Sequence, residues 1–85
     1  MASYSVLVKK SVYKTLEVLP KADIKRLTDA MIGLADDPHP PQSKKLTNDD
    51  RYRLRVGDYR ILYVIENAVL IVIFVKVGHR REIYR

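Results

Sequence analysis

The chain has no cysteine among its 85 residues. That excludes a disulfide framework and thiolate zinc sites, and it fits a reducing cytoplasm. His39 and His79 stand apart and lack the spacing of metal ligands. No GxSxG, P-loop or GxGxxG run occurs. Asp36-Asp37 and Asp49-Asp50 lie in turn-like stretches, so no carboxylate pair is set on a strand for acid–base work. The longest unbroken apolar run, from Ala68 to Val75, is far shorter than the ~20 residues of a membrane helix. The opening MASYSVLVKK has no apolar core behind a basic start, so no signal peptide is expected. These absences predict a soluble, cytoplasmic chain of one domain over residues 1–85, with no metal, cofactor or membrane contact.

What is present in excess is positive charge, and it is unevenly placed. Residues 1–43 carry six Lys/Arg against five acids, whereas residues 44–85 carry ten against five. A basic surface on one element is the footprint of a phosphate-backbone binder. It is equally the charge that keeps a small domain soluble, and composition alone leaves both readings open.

Pattern narrows the choice. In RYRLRVGDYRILY (51–63), Tyr52, Leu54 and Val56 alternate with Arg51, Arg53 and Arg55, as on a half-buried strand. Gly57-Asp58 then reads as a two-residue hairpin loop, which sets Val56 opposite Tyr59 and Arg55 opposite Arg60. Like charges across a strand pair are destabilising. Their presence suggests a site that holds an anion, and the planar fork of arginine suits phosphate.

In chain order, a short strand is expected from Tyr4 to Val8. A helix follows with Ser11 as N-cap and Val12, Leu16 and Leu19 on one side. Pro20 separates it from a second helix with the stripe Ile24, Leu27, Met31, Leu34, which Asp36-Asp37-Pro38 ends. Residues 43–50 read as a loop. Three strands follow: Arg51–Val56, Tyr59–Glu66 and Val69–Val77, the last central because it is apolar on both faces. With Asn67-Ala68 as a tight turn, Glu66 faces Val69, Leu62 faces Ile73 and Arg60 faces Val75. One face then holds Arg53, Arg55, Arg60, Leu62, Ile73 and Val75, open to solvent. It ends near Gly78, where His79, Arg80 and Arg81 arrive. The other, with Leu54, Ile61, Tyr63, Val72 and Phe74, lies under the helices.

The residues able to do chemistry are therefore Arg53, Arg55, Arg60, His79, Arg80, Arg81 and Tyr84. Arginines can clamp a phosphate and stabilise charge that develops on it. A tyrosine can stack on a base or move a proton. Taken singly, each is also an ordinary surface residue; the clustering and the Arg55–Arg60 opposition favour a site.

The runs YRLRVGDYRILYVI and VLIVIFVKVGHRREIYR, with the first strand, the helical hairpin and the Asp-Asp-Pro break, resemble the RelE group of the RelE/ParE toxin superfamily over nearly the whole chain. The resemblance implies an α+β fold: a small, antiparallel-rich mixed sheet with the N-terminal helical hairpin packed on one face. It implies the toxin of a type II toxin–antitoxin pair, a ribosome-dependent endonuclease that cuts mRNA in the decoding site without metal by attack of the substrate's 2′-hydroxyl. Its implied partners are the translating ribosome with mRNA and a locally acidic, RelB-like antitoxin. Arg53, Arg55, Arg60, Arg80 and Tyr84 fall on the family's basic and terminal tyrosine positions. Lys44, Lys45, Arg51 and Arg81 are expected to contact RNA. Some relatives have lysine where Arg53 and Arg55 stand, and arginine cannot lose its proton. His79 has a suitable intrinsic pKa for a general base, with Tyr84 the other candidate. The rival readings are a ParE-like inhibitor of DNA gyrase without nuclease activity and a non-catalytic RNA- or ribosome-binding module.

Overall fold

A computed structural model of the chain describes residues 4–79. Seven elements follow in order: β1 (Ser5–Val8), α1 (Lys10–Glu17), α2 (Lys21–Asp36), β2 (Lys44–Lys45), β3 (Tyr52–Val56), β4 (Tyr59–Glu66) and β5 (Ile71–His79). The strands form one mixed sheet in the order β1-β5-β4-β3-β2, in which β1 runs parallel to β5 and the other pairs are antiparallel. Both helices cover one face. Val12 from α1 and Leu27, Met31 and Leu34 from α2 meet Leu54, Ile61, Tyr63, Val72, Phe74 and Val77 in the core. That is the α+β architecture expected, with β5 internal and the two apolar stripes turned inward. Among the described residues no helix is long and apolar enough to cross a membrane.

The first helix starts two residues early. The Lys9 N–H is held by the Phe74 carbonyl at 3.1 Å, and the chain turns at once into α1 with Lys9 as its extended N-cap. Ser11 is inside the helix and caps nothing; its carbonyl accepts the Thr15 hydroxyl at 3.0 Å. Pro20 behaves as expected: its carbonyl accepts the Asp23 and Ile24 N–H groups, both at 3.0 Å, and opens α2.

The β3–β4 hairpin has the expected register, Val56 with Tyr59 and Arg55 with Arg60. Its turn needs Gly57, whose φ of +59° lies in the left-handed region. The Arg26 guanidinium packs on the same residue; a Cβ there would lie 2.5 Å from Nη2. Gly57→Ala should therefore lower stability by about 1–2 kcal/mol, combining backbone strain with displacement of Arg26. Urea unfolding would show this as a lower midpoint at unchanged slope.

The β4–β5 register departs from expectation in two steps. The connection is not Asn67-Ala68 but residues 67–70, closed by Leu70 at φ 54°, whose carbonyl takes the Ser5 N–H at 2.8 Å. Glu66 thus pairs with Ile71, a shift of two residues that leaves the faces unchanged. A bulge then follows: Tyr63 pairs with Phe74 but Leu62 with Lys76. Continued alternation from Phe74 would drive Lys76 into the core. The extra residue places Val77 there instead, opposite Ile61, and sets Arg60 against Gly78 and Tyr59 against His79. Residues 43–50, expected as loop, contain β2, which pairs Lys44 with Arg53 and Lys45 with Tyr52.

Candidate functional site

The alternation along β3 turns Leu54 into the core and Arg53 and Arg55 to the opposite face. Lys44 joins Arg53 from the edge strand, and Arg60 joins Arg55 from β4. The result is like-charge pairing on two rungs, Lys44–Arg53 and Arg55–Arg60, which costs stability in the free protein. Gln42, Lys44, Arg53 and Arg55 line a cavity of about 320 Å³, and none of the four carries a negative charge. An anion bound there would relieve the repulsion and could be gripped bidentately by a guanidinium fork.

Exposure along this face is uneven among the described residues. Arg55 is exposed and Arg53 half-buried, but Arg60 is only 8 % exposed and Leu62 only 1 %. The wholly open arginine face expected from alternation is thus corrected. β4 lies inside the sheet between β3 and β5, whereas β3 is bordered on its outer side by the two-residue β2.

Other expected residues lie elsewhere. Lys45 pairs with Tyr52, so it belongs to the helix side. Arg51 is committed to a loop carboxylate: its Nε donates to Asp49 Oδ1 and Oδ2 at 3.1 and 3.0 Å, and Nη2 donates to Oδ2 at 2.6 Å. Those bonds hold the Asp49 carboxyl below its ordinary pKa and the Arg51 guanidinium above its own. His79 does not reach the arginine face as expected. It pairs with Tyr59 on the helix side, the two rings edge to face at 6.0 Å. Tyr59 is itself anchored, its hydroxyl donating to Asp23 Oδ2 at 3.0 Å, a bond that raises the phenol's pKa. The bulge accounts for the change, because it shifts every residue after Val75 by one position. Arg80, Arg81 and Tyr84 lie outside the described residues.

Gln42 is the lining residue that sequence reasoning missed. It precedes a two-residue strand with no alternation to announce it, in a stretch that reads as loop. Among the described residues no group of His, Cys, Asp and Glu is placed to hold a metal ion.

Comparison with known proteins agrees with this architecture. The family described as the ParE toxin of the type II toxin–antitoxin system parDE matches residues 4–84. A Methanocaldococcus jannaschii chain named as toxin RelE1 is 30 % identical over 86 residues, covering 96 % of each chain. The structure is similar to RelE in the archaeal RelE–RelB complex of Pyrococcus horikoshii, with a TM-score of 0.83 and 34 % identity over 94 % of this chain and 98 % of that one. It is equally similar to a chain of the RelBE2 toxin–antitoxin complex of Mycobacterium tuberculosis, with a TM-score of 0.83 and 26 % identity over 96 % of this chain and 97 % of that one. The chain therefore belongs to the RelE/ParE superfamily of type II toxin–antitoxin toxins.

Proposed function

We propose that this toxin stops translation by cutting mRNA in the decoding site of the ribosome. The observation that carries the reading is the cationic cavity of Gln42, Lys44, Arg53 and Arg55, built where like charges face each other across two rungs. In the proposed reaction the 2′-oxygen of one nucleotide attacks the adjacent phosphorus. A bond to that oxygen forms as the bond to the 5′-oxygen breaks, leaving a cyclic phosphate and a free 5′-hydroxyl. A base takes the 2′-hydroxyl proton, and an acid supplies one to the departing oxygen. Arg53 and Arg55 hold the phosphate and its developing charge, with Arg60 alongside, while His79 and Tyr84 divide proton transfer and base stacking. Arg80 and Arg81 contribute further charge to the RNA.

The partner that restrains this activity is an antitoxin. The relatives from Pyrococcus horikoshii and Mycobacterium tuberculosis are each held in a complex with one. A locally acidic segment is the complement of the Lys44–Arg53–Arg55 edge. One observation favours a second reading: the matching family is described by ParE, and the gyrase-inhibitor alternative belongs to that branch.

Pulse-labelling after expression of the toxin alone separates the two. Protein synthesis should fall before DNA synthesis, and the ends of cut mRNA should map within ribosome-bound codons. DNA synthesis failing first would favour gyrase. Arrested ribosomes carrying intact mRNA would favour the binding module.

A further inference from the structure

We propose that a slot between α2 and the outer edge of β3 receives a base of the bound RNA, and that Asp37 and Gln42 select one with an exocyclic amino group. The proposal rests on the RNA-cleaving reading and specifies the part of the substrate that the cationic cavity does not hold.

The slot exists because β2 is short. Its pairing with β3 ends at Lys44–Arg53. The chain before it is drawn into a turn, with the Ser43 N–H and hydroxyl both on the Pro40 carbonyl at 2.9 Å. Among the described residues, none forms a strand along the outer side of residues 54–56 of β3. A cavity of about 310 Å³ occupies that place, at the lower end of the range for small-ligand sites. Ala30, Gly33 and Leu34 of α2 form one wall, and Leu54 and Val56 the other. Gly33 keeps the slot wide, since a Cβ there would meet nothing within 4 Å.

Gln42 and Arg55 line both this slot and the cationic cavity. An anion site and an apolar slot therefore meet at the same two side chains, as the phosphate and the flat base of one nucleotide require. The polar groups of the slot point to a class of base. The Asp37 Oδ1 accepts the His39 N–H at 3.0 Å, and an ionised carboxylate keeps further acceptor capacity. Gln42 brings an amide that both donates and accepts, the pairing that suits adenine N6 and N7. A carboxylate accepts from an amino group and repels the O4 of uracil.

The activity-independent test is an NMR titration of the isolated toxin with 5′-AMP and 5′-UMP. The Gly33 and Gln42 amides should shift with AMP and respond far less to UMP. Gly33→Leu, which fills the slot at a position where helix propensity favours the change, should melt no lower than wild type and lose the AMP response. On programmed ribosomes the same variant should cut at least about tenfold more slowly, and Asp37→Asn should flatten the preference for amino-bearing bases at one codon position. Equal responses to AMP and UMP, or none, overturn the proposal. So does a Gly33→Leu toxin that keeps its cleavage rate and codon profile but no longer binds its antitoxin, which would give the slot to a peptide. If wild type cuts no programmed ribosome yet shows the AMP-selective shifts, the nuclease reading falls and the base slot stands.

Discussion

An Arg55→Ala toxin should cleave ribosome-bound mRNA about 10²–10³-fold more slowly than wild type while melting no lower. The rate loss is what one preorganised donor to a charged transition state typically supplies. The unchanged stability follows from position. Arg55 is exposed on an edge-proximal strand and faces Arg60 across the rung, so removing it deletes a repulsion and exposes nothing. Arg60→Ala shares the repulsion but not the exposure. Its side chain is buried, with Nε and Nη1 shut off from solvent, and truncation removes the packing of its stem as well as the charge. The pair should therefore split: both slow in single-turnover cleavage, only Arg60→Ala lowered in melting temperature. A fully active Arg55→Ala toxin would mean that this face is merely solvated and that the phosphate is held elsewhere.

That split is only half legible in the sequence. The hairpin register follows from local chemistry, since Gly57-Asp58 admits few turns and the alternation on either side is strict. Arg55 against Arg60 could thus be read directly. Burial of Arg60 could not, because it depends on what stands beyond β4, and that is set by the β4–β5 register. Two features control that register: the left-handed Leu70, a residue type that does not advertise positive φ, and the bulge after Phe74. The bulge had a signal of a kind. Lys76 falls where simple alternation would bury it, and a charge at a core position argues for a register change. The same bulge sets His79 against Tyr59, on the helix side of the sheet. β2 and Gln42 left no comparable trace, because a two-residue strand has no period to detect.

The placement of His79 sharpens the second large expectation. His79→Ala should slow the chemical step by about 10²–10⁴, the usual worth of a positioned proton carrier, with ribosome binding close to wild type. Tyr84→Phe keeps the ring and its stacking, worth about 1–3 kcal/mol per base, and should stay near wild type; Tyr84→Ala should be badly impaired. The geometry attaches a condition. His79 lies one rung beyond the Arg60–Gly78 pair, on the Tyr59 side. For its imidazole to reach a 2′-hydroxyl, the RNA must cross the rim of the sheet beyond the buried Arg60–Gly78 rung. Tyr59, fixed by Asp23, then sets the orientation of the ring. Tyr59→Leu should consequently reproduce part of the His79→Ala rate loss without weakening ribosome binding, whereas Tyr59→Phe, which keeps the edge-to-face contact, should lose less. Single-turnover cleavage on programmed ribosomes decides the matter. Should His79→Ala cut at the normal rate while Tyr84→Phe is dead, the proton belongs to Tyr84, the RNA need not leave the arginine face, and the Asp23–Tyr59–His79 chain is only packing.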